Sequence, residues 1–402
     1  MRVSIDYGRR RAQLEIADSA LVPSRSAEPL ASLADPSAAL LAALEQPIGF
    51  PSLRRALTPD DRITVAVDER LPGLAGLVVT LLEYLLSAGI QAEAITLLCA
   101  PPSTGQPWLE ELPEALEEVH CEVHDPSDRR QLSYVASASK GRPLLISRSA
   151  VDAAQLVVLT GRRYDPLLGH GGGAGALYPV LGDRATRAQA SKRLSPDVPS
   201  NRPASMMAEA EEAVWLLGLP FFVQVLEGAG DAVAQIIGGP AATLDEGQRR
   251  LDALWRRVVP RQADVVIASL SGDPARHSFA DFAAALACAA RVVRPEGSIV
   301  LLSEATPPEN AISNLLRGSA SPENAVREYI RREDLDLIPG WQWAFAASRG
   351  KLYMLTGLAE VKNLFAAPLE NIEQVQEIVS RGESCLVLPD AHKSLAVVEA
   401  MP

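Results

Sequence analysis

A glycine-rich loop is the clearest chemical feature of this sequence. Five glycines fall within the seven positions 169–175, which read Gly-His-Gly-Gly-Gly-Ala-Gly. Such a backbone lets N–H groups approach an anion closely, and a helix that follows the loop adds its positive end. The spacing matches neither GxGxxG nor GxxxxGK[ST]. An anion or nucleotide site therefore competes here with a plain strand-to-helix turn.

Charged side chains follow two of the apolar runs. Asp68 and Arg70 come directly after the run 63–67, and Asp165 lies shortly beyond the run 155–160. Ligands of open α/β sheets bind outside the carboxyl ends of the strands. Arg70 could hold a carboxylate there in bidentate fashion, and a desolvated Asp165 could act as a general base. The alternative for both segments is a solvated loop with an ion pair.

Metal and nucleophile signatures are missing from the sequence. His170 in the loop could bind a metal or transfer a proton, although a lone loop histidine is more often an ordinary polar residue. No HExxH, CxxC or GxSxG arrangement occurs, so the sequence predicts no metal site and no nucleophile elbow. The four cysteines are scattered, which is typical of buried thiols in a reducing cytosol.

Composition narrows the range of partners. The chain has 402 residues and a formal net charge of −12, which disfavours nucleic acid and anionic membranes as main partners. No apolar run reaches the ~18 residues that span a bilayer, and the N-terminus lacks the apolar core of a signal peptide. We therefore expect a cytoplasmic protein with a small anionic ligand, such as a carboxylate or a nucleotide. The composition leaves the oligomeric state open.

The elements that must position these residues follow a simple alternation. The first 16 residues alternate apolar and polar side chains around Gly8, which predicts an N-terminal β-hairpin. From residue 63, and again from residue 264, short apolar runs alternate with helical stretches. This pattern predicts mostly parallel sheets covered on both faces. We expect an α/β protein of two domains, 1–255 and 256–402, with a cleft between them.

The individual elements follow from periodicity and capping signals. Helices are predicted over 35–44, 74–88, 107–119, 242–258, 279–292, 322–332 and 371–380. Strands are predicted over 63–67, 94–98, 121–124, 144–147, 155–160, 265–270, 298–303, 352–356 and 385–388, with a second hairpin formed by 221–226 and 232–237.

The order of these elements resembles the nickel-pincer lactate racemase family, once known as a domain of unknown function. The resemblance runs nearly end to end. The matching features are the N-terminal hairpin, the segment Pro-Ile-Gly-Phe-Pro-Ser-Leu at 47–53, the first strand ending in an acidic and arginine pair, the glycine-rich loop, the hairpin at 221–237, and the Ala-Ala-Arg-Val-Val-Arg-Pro-Glu-Gly turn at 289–297.

The resemblance implies a cofactor chemistry whose residues this chain lacks. In that family a lysine ten positions after a histidine is joined covalently to the nickel-pincer nucleotide, and two histidines act as acid and base on the substrate's α-carbon. By the resemblance, Asp165 stands at the first histidine and Gly175 at the lysine. The second histidine falls near Ser103 and Thr104, and the nickel-ligating histidine near Ser191.

The scaffold of the family's loop is nevertheless present. Gly169, Gly172 and Gly173 match it, so the resemblance implies that these glycines and Gly175, together with the segment Ser103-Thr104, line the place of the cofactor. Asp68 and Arg70 are the polar residues that match.

These observations lead to one leading hypothesis and two alternatives. No cofactor is expected because Gly175 has no amine, and Lys192 is the fallback attachment site. The leading hypothesis is a divergent, non-catalytic or repurposed protein that binds a small ligand. The first alternative is an active isomerase, a racemase or epimerase of a 2-hydroxy acid with Asp165, Arg70 and Asp68 in a rearranged site. The second is a hydrolase or transferase that uses Asp165, Arg70 and His170.

Overall fold

The computed structural model describes residues 1–26, 32–101, 103, 106–137, 141, 143–194, 205–218 and 220–399. The chain divides into two compact units, which we call central and terminal. The central unit comprises Ala31–Gly228 and Ala232–Leu251, and the terminal unit comprises Met1–Leu30, Ala229–Asp231 and Asp252–Pro402. The sequence-based division instead assigned the first 30 residues to the N-terminal domain.

The strands are β1 (Arg2–Tyr7), β2 (Arg10–Glu15), β3 (Leu21–Val22), β4 (Ile63–Val67), β5 (Ile95–Cys99), β6 (His120–Val123), β7 (Leu132–Ser137), β8 (Pro143–Ser147), β9 (Gln155–Asp165), β10 (Gly169–Gly171), β11 (Phe221–Glu227), β12 (Val233–Gly239), β13 (Arg256–Val259), β14 (Ala263–Ser269), β15 (Val293–Leu302), β16 (Lys351–Leu355), β17 (Ala366–Pro368), β18 (Cys385–Leu388) and β19 (Leu395–Val398).

The α-helices are α1 (Pro36–Glu45), α2 (Leu74–Ser87), α3 (Arg148–Val151), α4 (Arg184–Ser191), α5 (Ser205–Leu216), α6 (Leu244–Trp255), α7 (Phe279–Ala290), α8 (Ala311–Arg317), α9 (Pro322–Arg332), α10 (Ile338–Arg349) and α11 (Ile372–Arg381). No helix of the described ranges is long and apolar enough to cross a membrane.

The central unit is built on a sheet of order β12-β11-β9-β4-β5-β6. Its strands are parallel except β12, which is antiparallel to β11, and β10, which pairs antiparallel with β9 off the main path. All five residues of β4 are buried, as expected for a strand covered on both faces. Apolar residues of α1 and α2 form one core with β4, β5, β9 and β11.

Capping signals in the central unit predict the helix ends well. Asp35 accepts a hydrogen bond from the N–H of Ala38 at 2.9 Å, and Pro36 occupies the first helical turn of α1. α2 is followed by Gly89 in the left-handed region, with φ of +98°, where glycine carries no Cβ penalty. These two helix boundaries are therefore determined by local sequence.

The terminal unit has a parallel sheet of order β17-β16-β15-β14-β18-β3. The hairpin β1–β2 and helix α11 share an apolar core with β14, β15 and β18. Another part of the unit contains Trp343, whose ring stacks on Phe279 of α7 with centroids 4.6 Å apart. The α/β class, the mostly parallel sheets and the N-terminal hairpin predicted from the sequence are confirmed.

Four predicted elements are wrong in extent or type. The strand predicted over 298–303 begins already at Val293, within the segment interpreted as a turn, because Val293 pairs with Ala263 of β14. The segment 107–119 forms short 3-10 turns because Pro113 holds Leu112 in an extended conformation. Helix α6 ends at Trp255, and the next four residues form β13, which pairs with the distant strand β19. The strand predicted to end at residue 160 continues as β9 to Asp165, because β10 provides it with a pairing partner.

Candidate functional site

A buried ion network lies at the carboxyl edge of the central sheet. Asp68 follows β4, Arg163 lies near the end of β9, and Glu227 ends β11. The pairing register places Val67 of β4 opposite Leu159 of β9, and Leu226 of β11 opposite Arg162 of β9. Three neighbouring strands thus bring two carboxylates and one guanidinium to one edge.

Arg163 joins the two carboxylates. Its Nη1 donates to Asp68 Oδ2, and its Nη2 donates to Glu227 Oε1 at 3.1 Å. Asp68 also accepts the backbone N–H of Arg70 and of Gly161, each at 3.1 Å. The side chains are 13% exposed for Asp68, 17% for Arg163 and 13% for Glu227. Charged groups are buried to this degree only when they are paired and hydrogen-bonded.

The side chains of Asp68 and Arg163 favour their charged forms in this network. Burial by itself would raise the pKa of Asp68, but the charges of Arg163 and Arg70 and the N–H donors outweigh it and hold that pKa well below its usual range. Burial would lower the pKa of Arg163, and the two carboxylates outweigh it and raise that pKa. Asp68 is therefore an anion at neutral pH.

Arg70 is the solvent-facing cation of this edge. Its side chain is 59% exposed, and its Nε lies 3.5 Å from Asp68 Oδ1. Arg163 fixes Asp68 on one side. Asp68 in turn accepts a hydrogen bond from the backbone N–H of Arg70 and forms an ion pair with the Arg70 guanidinium. A guanidinium anchored in this way can bind a carboxylate in bidentate fashion.

Asp165 ends β9 beside this network. Its Oδ1 accepts the N–H of Leu167 at 2.8 Å and of Leu168 at 2.7 Å, which shapes the turn into β10. Burial raises the pKa of Asp165, although the two N–H donors and the charge of Arg70 act in the opposite direction. Asp68 and Arg70 are therefore in contact, and the charge of Arg70 reaches Asp165.

The glycines of the loop are packed against β9. Gly172 has φ of +71° and ψ of −161°, a conformation open essentially to glycine alone, and a Cβ there would overlap the carbonyl oxygen of Gly161. A Cβ on Gly173 would overlap Arg162 Nη1. Close packing thus explains these glycines, and their role in binding an anion stays a prediction.

The helix expected directly after the loop is not there. A single 3-10 turn, Gly173–Ala176, forms the end of the loop, and the next α-helix begins at Arg184. The loop therefore gains no helix dipole from its own continuation, because one 3-10 turn aligns too few peptide units.

The remaining sequence-predicted residues have other neighbours. Gly169 is half-buried in β10, opposite Asp165. His170 of β10 lies beside Tyr164, with ring centroids 5.5 Å apart. Ser103 Oγ accepts a hydrogen bond from Gln106 Nε2 at 2.6 Å, and Thr104 lies outside the described residues. Sequence reasoning missed Glu227, whose only signal is its place at the end of a buried strand.

The fold and this edge define an α/β protein with a charged cluster at the carboxyl ends of a parallel sheet. Residues 7–195 match the family model of the lactate racemase N-terminal domain. This segment, which makes up just under half of the chain, is therefore similar to the lactate racemase N-terminal domain. No curated protein matches it.

Two solved structures have a similar fold. The lactate racemase apoprotein from Thermoanaerobacterium thermosaccharolyticum superposes with a TM-score of 0.78 at 17% identity, covering 98% of this chain and 100% of that one. A protein from Thermotoga maritima superposes with a TM-score of 0.61 at 12% identity, covering 84% of this chain and 93% of that one. At these identities the likeness shows the fold alone.

The side chains do not fit a tethered nickel nucleotide. Gly175, at the position that the resemblance assigns to the tether, is buried, and a Cβ there would overlap Leu168 Cδ1. Ser191, at the position assigned to the nickel ligand, is buried and donates its hydroxyl to the carbonyl of Ala188 at 2.8 Å. Within the described part of the chain, no three His, Cys, Asp or Glu residues are placed to hold a metal ion.

Proposed function

We propose that this lactate racemase-like protein binds a small carboxylate at the carboxyl edge of the central sheet, and that it does so without a tethered nickel nucleotide. The observation that carries the proposal is Gly175, which offers no amine and is packed against Leu168. A protein that only binds a carboxylate needs a positioned cation such as Arg70, but it does not need a lysine that carries the cofactor.

The charge arrangement supports a carboxylate as the ligand. Arg70 is exposed and is held by Asp68, which is itself held by the buried Arg163. A cation fixed by a buried network loses less side-chain freedom on binding than an unrestrained arginine would. The overall negative charge of the protein makes such an anchored cation the favourable contact for a small anion.

A second candidate function rests on Asp165. Its raised pKa makes it a stronger base than a solvated aspartate, which favours an isomerase that removes a proton from a 2-hydroxy acid bound by Arg70. This racemase or epimerase would use Asp165, Arg70 and Asp68 in a rearranged site. The binding protein is the better supported candidate, because no second base lies in contact with Asp165 among the described side chains.

The first prediction concerns the tether. Protein produced together with the enzymes that make the nickel-pincer nucleotide should have the intact mass of the bare chain, bind no stoichiometric nickel and racemise no lactate. The reason is that Gly175 has no amine to acylate. A lactate racemase that carries the tether, prepared in the same way, is the positive control. A mass increment of nucleotide size would overturn the proposal, and Lys192→Ala would then test the fallback attachment site.

The second prediction concerns Arg70. Glycolate should raise the thermal midpoint of the wild-type protein by mass action, with a stabilisation of about 2.7 kcal/mol at a hundredfold excess over Kd. Arg70→Met should abolish this shift, because the exposed cation is removed while Arg163 still neutralises Asp68. Arg55→Met, which removes another exposed arginine of the central unit, is the matched control. An equal shift in all three proteins would contradict the assignment.

A further inference from the structure

The carboxyl ends of β14 and β18 meet where the strand order of the terminal sheet reverses. The two strands are parallel neighbours, and the chain adds β15, β16 and β17 on one side of β14 before it returns to β18 on the other. An open α/β sheet has a crevice outside the strand ends at such a point. The tip of the β11–β12 hairpin, Ala229–Asp231, belongs to the terminal unit and contacts the loops that follow both strands. The chain therefore places a segment of its own where such a sheet would take a ligand.

Three charged side chains hold this tip. Asp390 Oδ2 accepts the N–H of Gly230 at 3.0 Å, and Lys393 Nζ donates to the Gly230 carbonyl. Arg276 Nη1 donates to Oδ1 of Asp231. We call these contacts the latch. Asp390 and Lys393 are both buried, and buried charges persist only when they are paired and hydrogen-bonded.

Asp390 is the residue that joins the tip to the loop after β14. Its Oδ1 accepts the backbone N–H and the hydroxyl of Ser271, each at 2.8 Å. Its φ of +47° is left-handed, a conformation that persists in an aspartate where the surrounding contacts impose it. Burial would raise the pKa of Asp390, but the neighbouring His392 and Lys393 and the N–H donors lower it. Protonation of Asp390 therefore does not open the latch near neutral pH.

His277 lies buried beside the latch. Its side chain is 8% exposed, and its ring meets the ring of His392 edge to face, with centroids 5.5 Å apart. Its Nδ1 is buried and has no hydrogen-bond partner among the described residues. A protonated imidazole carries an N–H donor at both nitrogens. A buried charge with an N–H that meets no acceptor is costly, so the closed latch disfavours the protonated ring.

The charged groups around His277 favour a proton once water reaches the ring. The titratable neighbours come from three elements: Asp231 of the tip, Asp281 of α7, and Asp390, His392 and Lys393 of the loop after β18. Burial lowers the pKa of His277 most, the three carboxylates act against burial, and Lys393 acts with it. Because opening admits water, the ring binds a proton more tightly in the open form than in the closed one. The closed form is therefore favoured at neutral pH and loses stability as the pH falls below the ordinary histidine value of about 6.5.

We propose that His277 makes the latch sensitive to protons: a proton on its ring releases the tip Ala229–Asp231 from Asp390 and Lys393. The release is a local opening of the loops that follow β14 and β18, in the pH range where histidine is the side chain that titrates. It involves none of the residues to which the carboxylate site is assigned.

Hydrogen exchange of the full chain, followed by mass spectrometry at about pH 7.5 and about pH 5.5, tests the proposal. After correction for the intrinsic exchange rates, the opening constant of peptides that cover 229–231 and 389–394 should rise about tenfold between the two conditions, as expected for one proton bound with the ordinary pKa in the open form. Peptides from β14 should keep their protection, which separates local opening from acid unfolding. Exchange at the tip that does not change with pH in the wild type would overturn the inference.

Two variants identify the group that titrates. His277→Phe keeps an aromatic ring against His392 but binds no proton, so the tip should exchange equally at both pH values. His277→Gln gives the same test if the larger phenyl ring prevents folding. His392→Phe is the matched control, because it removes the neighbouring imidazole and should keep the pH response. A response that survives in the His277 variants, or that is lost in His392→Phe, would show that His277 is not the sensor.

Discussion

Replacing Arg163 with methionine should lower the free energy of unfolding by about 3–5 kcal/mol, because it removes the buried cation that joins Asp68 and Glu227 and leaves Asp68 only the exposed Arg70 as an ion-pair partner. Chemical denaturation at neutral pH measures the change. The loss should shrink as the pH falls. In the wild type, the pKa of Asp68 is lowered, so its stabilising contribution is present above the unfolded value and is lost as the pH falls through the folded one. In the variant, protonation neutralises the two carboxylates that have lost Arg163.

Arg70→Met is the matched control for this prediction. Arg70 pairs with the same carboxylate but is 59% exposed, and an exposed ion pair contributes only about 0–1 kcal/mol. If the two variants lost equal free energy of unfolding, solvent would screen the charge of Asp68 to the same degree as the charge of Arg70. The buried network would then not stabilise the sheet edge.

Replacing Gly172 with alanine should destabilise the protein by about 2–6 kcal/mol, the sum of about 1–3 kcal/mol for the backbone conformation and a similar amount for the overlap. The Cβ would meet the carbonyl oxygen of Gly161, which is backbone and cannot rotate away. Denaturation, or loss of soluble protein where folding fails, measures this change.

Gly169→Ala isolates the conformational part of that loss. Gly169 has φ of +78°, yet no atom lies within 4 Å of the Cβ that alanine would add. We expect a loss of about 1–2 kcal/mol, the cost of a left-handed conformation in an L-residue. If Gly172→Ala were tolerated as well as Gly169→Ala, the loop would not be packed on β9 as described.

The candidate site could be predicted in part. The sequence predicts Asp68, Arg70 and Asp165 as site residues because parallel strands end at a common edge, and their role in binding stays a prediction. Glu227 and the pairing role of Arg163 were not found, because their contacts join residues 64 and 95 positions apart along the chain. The helix expected behind the glycine loop was wrong, because a run of small residues does not distinguish a 3-10 turn from the start of a helix.

Local sequence patterns are enough to predict the α/β class, the N-terminal hairpin and the ends of α1 and α2. Each of these depends on apolar periodicity or on capping residues within a few positions. Contacts between distant parts of the chain decide that β13 pairs with β19, that residues 1–26 pack in the terminal unit, and that the pKa of Asp68 is lowered while that of Asp165 is raised. The physical reason is the same in each case: strand pairing, burial and the field of a neighbouring charge are set by residues that are distant in sequence and close in space.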